Sequence, residues 1–206
     1  EHFLRTLRTR ASAEERLADL ILGEIGAVLG RYPFAALVSS GDPGTFAMAS
    51  VTLEVAAEAG VDVEVVPGVT AASAGAAAVG APLAGPYAAL TLSHLLIPWA
   101  TIVAQLRAAA GAGMALALFN PRSAGRPDHL ARARDVLTDV LDPATQVAVV
   151  TDATGPGQDV VRTTLAGLDP TVAGMRSIVL VGTADTVAAG DRLVTRRHHP
   201  RQEVTA

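Results

Sequence analysis

The sequence predicts an α/β protein of two domains, with a parallel sheet in the first, residues 1–84, and a mixed sheet in the second, residues 85–206. Three observations carry that expectation. Short apolar runs alternate with helical periods, the pattern of strand–helix–strand units. Two of those runs end in small-residue turns, Ser39-Ser40-Gly41-Asp42-Pro43-Gly44 and Pro67-Gly68-Val69-Thr70. Half of the residues are hydrophobic but only 3% are aromatic, so the core is built from Ala, Val and Leu. Such small side chains let helices lie close to a covered sheet.

Residues 1–30 read as helix: Ser12 and Glu15 match a capping box, and Leu17, Leu20, Ile21, Ile25 and Val28 recur at helical spacing. Pro33 ends it, and a strand follows over Phe34 to Ser39. After the glycine turn comes a helix over Thr45 to Ala59, closed by Gly60. Val61 to Val66 is the second strand, and Ala71 to Val79 a short helix stopped by Gly80. Both turns then fall on the same edge of one sheet.

The segment Gly80 to Pro86 has no periodicity and two prolines, and is read as the linker. Beyond it, Tyr87 to Leu92 is a strand. Ser93 to Trp99 turns into a helix that ends at Gly111, with Pro98 acceptable in its first turn. Met114 to Phe119 is a strand, and Asn120 to Pro127 a loop. Asp128 to Leu141 is an amphipathic helix with Arg132, Arg134 and Asp135 on its outer face. Gln146 to Val150, Val160 to Leu165 and Ser177 to Val181 complete the strands. From Arg192 the chain is read as a frayed tail.

Composition excludes several chemistries. There is no cysteine, hence no disulfide, thiolate ligand or cysteine nucleophile. All sixteen basic residues are arginine, which removes a Schiff-base lysine and a P-loop lysine. A net charge of −4 offers no global field for nucleic acid. No apolar run reaches transmembrane length, and a cytoplasmic protein is expected. No metal site is expected: His198 and His199 read as a solvated tail. No Gly-x-Gly-x-x-Gly opens a helix after a strand, which disfavours a Rossmann dehydrogenase.

The first turn reads as a small-molecule cradle. Gly41 and Gly44 allow close backbone approach, and Asp42, lying before Pro43, projects its carboxylate. Further motifs follow in order: Pro-Gly-Val-Thr-Ala at 67–71, Leu-Ser-His-Leu-Leu-Ile-Pro-Trp at 92–99, Phe-Asn-Pro-Arg-Ser at 119–123, Gly-Arg-Pro at 125–127 and Thr-Thr-Leu at 163–165. In this order and spacing the chain resembles the tetrapyrrole (corrin and porphyrin) methylases, and its Leu-Ser and Asn-Pro-Arg-Ser segments resemble the precorrin-3B carbon-17 methyltransferase branch.

That resemblance implies S-adenosylmethionine held between two α/β domains, methyl transfer to a precorrin macrocycle with ring contraction in cobalamin synthesis, and a homodimer. By motif position it implies Ser40, Gly41, Asp42, Thr45 and Phe46 around the methionine part of the cofactor, and Thr70 and Ala71 at the second turn. Phe119 and Asn120 fall near the adenosine, with Ala153 and Thr164 completing the pocket. Acceptors and one carboxylate suit a cationic sulfonium and amino group. Methyl transfer needs in-line orientation more than an acid or base. Arg122 and Arg126 are candidates to grip substrate carboxylates, because guanidinium forks match them bidentately. His94, where relatives show an aspartate, is a candidate proton donor or axial metal contact; the competing reading is a structural hydrogen bonder. Trp99 reads as a packing anchor.

The family's opening strand and its glycine-proline-glycine-aspartate loop are not visible before Phe34, so the opening strand is expected to be absent. Two alternatives stay open: another corrin-ring methyltransferase of the same pathway, and a degenerate, non-catalytic binding protein.

Overall fold

The structure, a computed structural model, describes Gly23 and residues 36–197. The helix expected over residues 1–30 lies outside these apart from Gly23, which is helical. The question of an opening strand, and His198 and His199, lie outside them as well. The chain divides into two compact units, Glu1–Thr70 and Ala71–Ala206.

Within residues 36–70 of the first unit the regular element is helix α1, Ala49–Ala59, closed by left-handed Gly60. It starts four residues later than the sequence suggests. Thr45 to Met48 form bends, and Phe46 takes a left-handed φ of 50° that a helix cannot use. The two expected strands also differ. Residues 36–39 and 61–66 carry no ladder among the described residues. A parallel pair is stable when both of its faces are covered. Here Val38 is 89% and Val66 70% exposed.

The second unit begins with helix α2, Ala71–Val79, and contains two sheets. The larger has five strands: β2 (Tyr87–Thr91), β3 (Ala115–Phe119), β4 (Gln146–Thr151), β5 (Asp159–Thr164) and β6 (Ser177–Val181). Their order is β2-β3-β6-β4-β5. β2 and β3 are parallel and the remaining pairs antiparallel, which is the mixed sheet expected. Helices α3 (Trp99–Gly111) and α4 (His129–Thr138) cover one face. Pro98 is the N-cap of α3 rather than its first-turn residue.

Strand alternation explains the layers. Leu116, Leu118, Val147, Val149, Val179 and Val181 face Ile102, Leu106, Leu130 and Leu137. The intervening Ala117, Phe119, Ala148, Val150, Ile178 and Leu180 face Ala72 and Val79 of α2. Period-two strands therefore serve two cores at once. Burial of Leu116 and Leu118, at most 1% exposed, contributes about 1.5–3 kcal/mol each. α2 consists of Ala, Ser, Gly and Val because it lies hard on the sheet: a Cβ on Gly75 would stand 2.5 Å from Cγ2 of Ile178.

The smaller sheet is a correction to the expected tail and linker. β1 (Gly80–Ala81), β7 (Thr186–Ala189) and β8 (Arg192–Thr195) pair in the order β1-β8-β7. β7 and β8 are joined through Gly190, φ 62°, and Asp191, a two-residue hairpin turn. Leu193 is 2% exposed and joins the core under α2, so the chain is ordered by burial to Thr195. Gly80, φ 126°, is required there, since a Cβ would meet the Leu193 carbonyl oxygen at 2.6 Å.

Candidate functional site

In the first unit the two glycine turns meet. Asp42 Oδ1 accepts from the Gly44 amide at 2.9 Å and from the Thr45 hydroxyl at 3.1 Å. Its Oδ2 accepts from the amide of Gly68, in the second turn, at 3.1 Å. A Cβ on Gly68 would collide with the Gly41 carbonyl oxygen, so only glycine lets the turns approach this closely. Gly41 itself is left-handed, φ 74°. The Gly68 amide first, then the Thr45 hydroxyl, hold the Asp42 carboxyl below its ordinary range and keep it anionic. Ser40 and Gly41 are exposed, and Thr45 and Thr70 half-buried. The Thr70 hydroxyl oxygen is buried with no partner. A cradle with one fixed anion and an orphan hydroxyl suits a cationic ligand carrying polar groups.

In the second unit, β2, β3 and β4 point the same way, so Thr91, Phe119 and Thr151 end at one edge of the sheet. Asn120 takes a left-handed φ of 52°, and its Nδ2 donates to Thr91 Oγ1 at 3.1 Å. The Ser93 amide donates to the same oxygen at 3.1 Å. Thus one threonine ties the ends of two strands. Ala153, half-buried, follows β4 at this edge between Asp152 and Thr154, both at positive φ. Asp152 pairs with Arg176 at 3.3 Å.

Phe119, Asn120 and Ala153 are therefore brought to one edge. Thr164 is not. β5 runs antiparallel to β4, with Gln146 opposite Thr164 and Thr151 opposite Asp159. Thr164 consequently lies at the far edge, a six-residue strand away, on the order of 17–20 Å. There it caps a turn by accepting from the Gly167 amide at 3.2 Å and lines an open hollow of about 370 Å³. Ala71 is the exposed first residue of α2.

The loop after β3 carries the candidate cations. Arg122 donates from Nε to the Pro127 carbonyl at 3.2 Å, bracing the loop from within. Arg126 is only 8% exposed. Its Nε donates to Ser123 Oγ at 3.2 Å, while Nη1 is buried without a partner. Among the described residues no carboxylate lies within ion-pair reach of it. Burial lowers its pKa, yet a guanidinium stays charged. A desolvated cation with a vacant donor is chemically matched to an incoming carboxylate.

His94 is exposed in the turn after β2, and its Nδ1 lies 2.7 Å from Nε2 of His129. His129 received no role from the sequence: it begins an amphipathic helix, and nothing local marks it out. Trp99 is the packing anchor expected, edge-on to His129 at 5.0 Å between ring centroids. The guanidinium of exposed Arg132 sits 4.0 Å above the Trp99 ring and covers an aromatic face. Among the described residues no group of three or more His, Asp or Glu is arranged to hold a metal ion, and no helix is long and apolar enough to cross a membrane.

Known proteins resemble the chain over most of its length. The sequence profile of the Tetrapyrrole (Corrin/Porphyrin) Methylases matches residues 3–169. The cobalamin biosynthesis protein CobIJ of Mycobacterium tuberculosis is 42% identical over 174 residues, 80% of this chain and 34% of that protein. The probable cobalt-factor III C(17)-methyltransferase of Salmonella typhimurium is 40% identical over 79% of this chain and 68% of its own length. The chain thus spans about a third of the first relative and two thirds of the second. The crystal structure of the methyltransferase CobJ superposes with a TM-score of 0.80 at 36% identity, covering 91% of this chain and 77% of that one.

Proposed function

The chain belongs to the tetrapyrrole (corrin/porphyrin) methylase family, and from that premise we propose that it transfers a methyl group from S-adenosylmethionine to carbon 17 of precorrin-3B or its cobalt-containing counterpart, with ring contraction, in cobalamin biosynthesis. The observation that carries the reading is the joining of the two turns by Asp42 and Gly68. It creates an anionic cradle of backbone groups that suits a cationic methyl donor. The names of the CobIJ, cobalt-factor III and CobJ relatives support the substrate.

S-adenosylmethionine, when bound, supplies an electrophilic methyl group on a sulfonium. In our reading Asp42 offers its charge to the cationic methionine end. Ser40, Gly41, Thr45 and Phe46 surround that end, and the unpaired Thr70 hydroxyl binds its polar atoms. By the family resemblance, Ala71, Phe119, Asn120 and Ala153 of the second unit are further candidates for cofactor contact. Thr164 is left out, because its strand carries it to the other sheet edge. Arg126 grips a substrate carboxylate with its free Nη1, and Arg122 supports the loop that presents it. His94 is the group that exchanges hydrogen bonds or a proton with the macrocycle. The chemistry is dominated by orientation, which supplies up to roughly 7–11 kcal/mol of the barrier.

The proposal includes a cytoplasmic homodimer as the working form, with the functional domains divided between Thr70 and Ala71 rather than at the expected 1–84 and 85–206, since α2 and β1 pack within the second unit. Limited proteolysis, light scattering and cell fractionation test these points. The decisive experiment incubates the full-length protein with methyl-labelled cofactor and precorrin-3B or cobalt-factor III, then locates the label by mass spectrometry and NMR. Label at carbon 17 is expected. An unlabelled macrocycle with intact binding of S-adenosylhomocysteine overturns the substrate assignment, and no binding overturns the methyltransferase.

A further inference from the structure

His129 is wedged in place. Its ring stacks on His94, with centroids 4.6 Å apart and planes 22° apart, and Trp99 meets it edge-on. It is 7% exposed, and its Nδ1 is buried without a partner. One hydrogen must lie between His129 Nε2 and His94 Nδ1, since two lone pairs at 2.7 Å repel. Two tautomeric arrangements supply it. If His94 donated, neutral His129 would carry its hydrogen on Nδ1, leaving an N–H buried with no acceptor. If His129 donates, Nδ1 keeps only a lone pair. Orphaned buried N–H groups are rarer than under-satisfied acceptors, so the second arrangement is favoured. The surroundings agree: burial first, then neighbouring His94, Arg132 and Arg126, lower the His129 pKa against the opposing Asp128.

We propose that His129 is the positioning residue for His94: its Nε2–H donates to His94 Nδ1, locking His94 as the Nε2–H tautomer and offering that N–H to an acidic group of the substrate. This rests on the methyltransferase reading for its substrate half. The tautomer half stands on the geometry of the pair. It also joins two donors on neighbouring segments into one anion-recognising edge, His94 after β2 and Arg126 after β3, with the ring of His129 behind His94.

The test is long-range imidazole 15N NMR on the labelled full-length protein at mildly alkaline pH, with signals assigned by variants. Wild-type His94 is expected to show the Nε2-protonated signature. His129→Gln keeps an N–H donor and preserves it, while His129→Phe releases His94 to a tautomer mixture. In parallel, His129→Phe lowers kcat/KM for the tetrapyrrole about tenfold, the scale of one lost hydrogen bond, with S-adenosylhomocysteine affinity unchanged. His129→Gln restores most of the rate. An Nδ1-protonated His94 in the wild type overturns the proposal whatever the activity, and needs no variant to fold. A locked tautomer with His129→Phe fully active overturns the substrate half alone. A wild type that methylates nothing overturns the methyltransferase reading and leaves the tautomer result to be judged separately.

Discussion

The backbone amide of Gly68 donates to Oδ2 of Asp42 at 3.1 Å, joining two turns separated by twenty-six residues of chain. A charged acceptor makes such a bond worth more than a neutral one. Asp42→Ala removes the acceptor of three donors at once. S-adenosylhomocysteine affinity by calorimetry is expected to fall about tenfold or more. Gly68→Ala, which drives a methyl group into the Gly41 carbonyl, is expected to do the same. Wild-type affinity in both variants would show the joint to be unrelated to the cofactor.

The same joint has a pH signature. The Asp42 carboxyl is held below its ordinary value by hydrogen bonds to its anion. Its contribution is therefore fully present above the ordinary carboxylate pKa and is lost as pH falls through the lowered one. Binding of S-adenosylhomocysteine is expected to lose an Asp42-dependent component only below the ordinary carboxylate range. In Asp42→Ala that acid limb is absent from the affinity profile.

Arg126 separates function from stability. Replacing a buried unpaired charge by an apolar side chain of similar length is often neutral or stabilising. Arg126→Met is expected to hold or raise Tm while weakening the carboxylated substrate about tenfold. Loss of Tm together with unchanged substrate affinity would make Arg126 a structural residue.

Gly75 sets two effects against each other. Alanine gains about 1 kcal/mol of helix propensity. Its Cβ, however, would stand 2.5 Å from Ile178 Cγ2, and overpacking costs about 1–3 kcal/mol. The clash is with a buried β-branched side chain that has little room to turn. Gly75→Ala is expected to lower Tm by about 2–4 °C in calorimetry.

His129 makes stability rise with pH. Its pKa is lowered by burial, so the unfolded chain binds the proton more readily than the folded one. Stability is expected to climb from the lowered pKa up to the ordinary histidine value and then level. His129→Gln has no such titration, and its Tm profile is expected to be flatter over that window. An equally steep profile would place the acid sensitivity elsewhere.

Much of the second unit was legible in the sequence. The strands 115–119 and 177–181 carry the unbroken apolar runs Ala115 to Phe119 and Ile178 to Val181, buried on both faces, and such runs announce themselves. β7 and β8 were missed because four-residue strands carry little period. Their one local mark, Gly190-Asp191 between Val187-Ala188-Ala189 and Arg192-Leu193-Val194, is a hairpin signal. The first unit reads less directly: runs such as Ala36 to Ser39 have the composition of strands without a ladder to make them so.

What the sequence by itself determined is the order of elements, the small-residue turns and the family, because these depend on local composition and spacing. What only the tertiary structure decided is which residues share an edge. Antiparallel pairing sends Thr164 away from Asn120, while contacts between distant segments bring His94 against His129 and Asp42 against Gly68. Strand direction and ring-to-ring contact are settled by packing between distant segments, and no local stretch of chain contains that information.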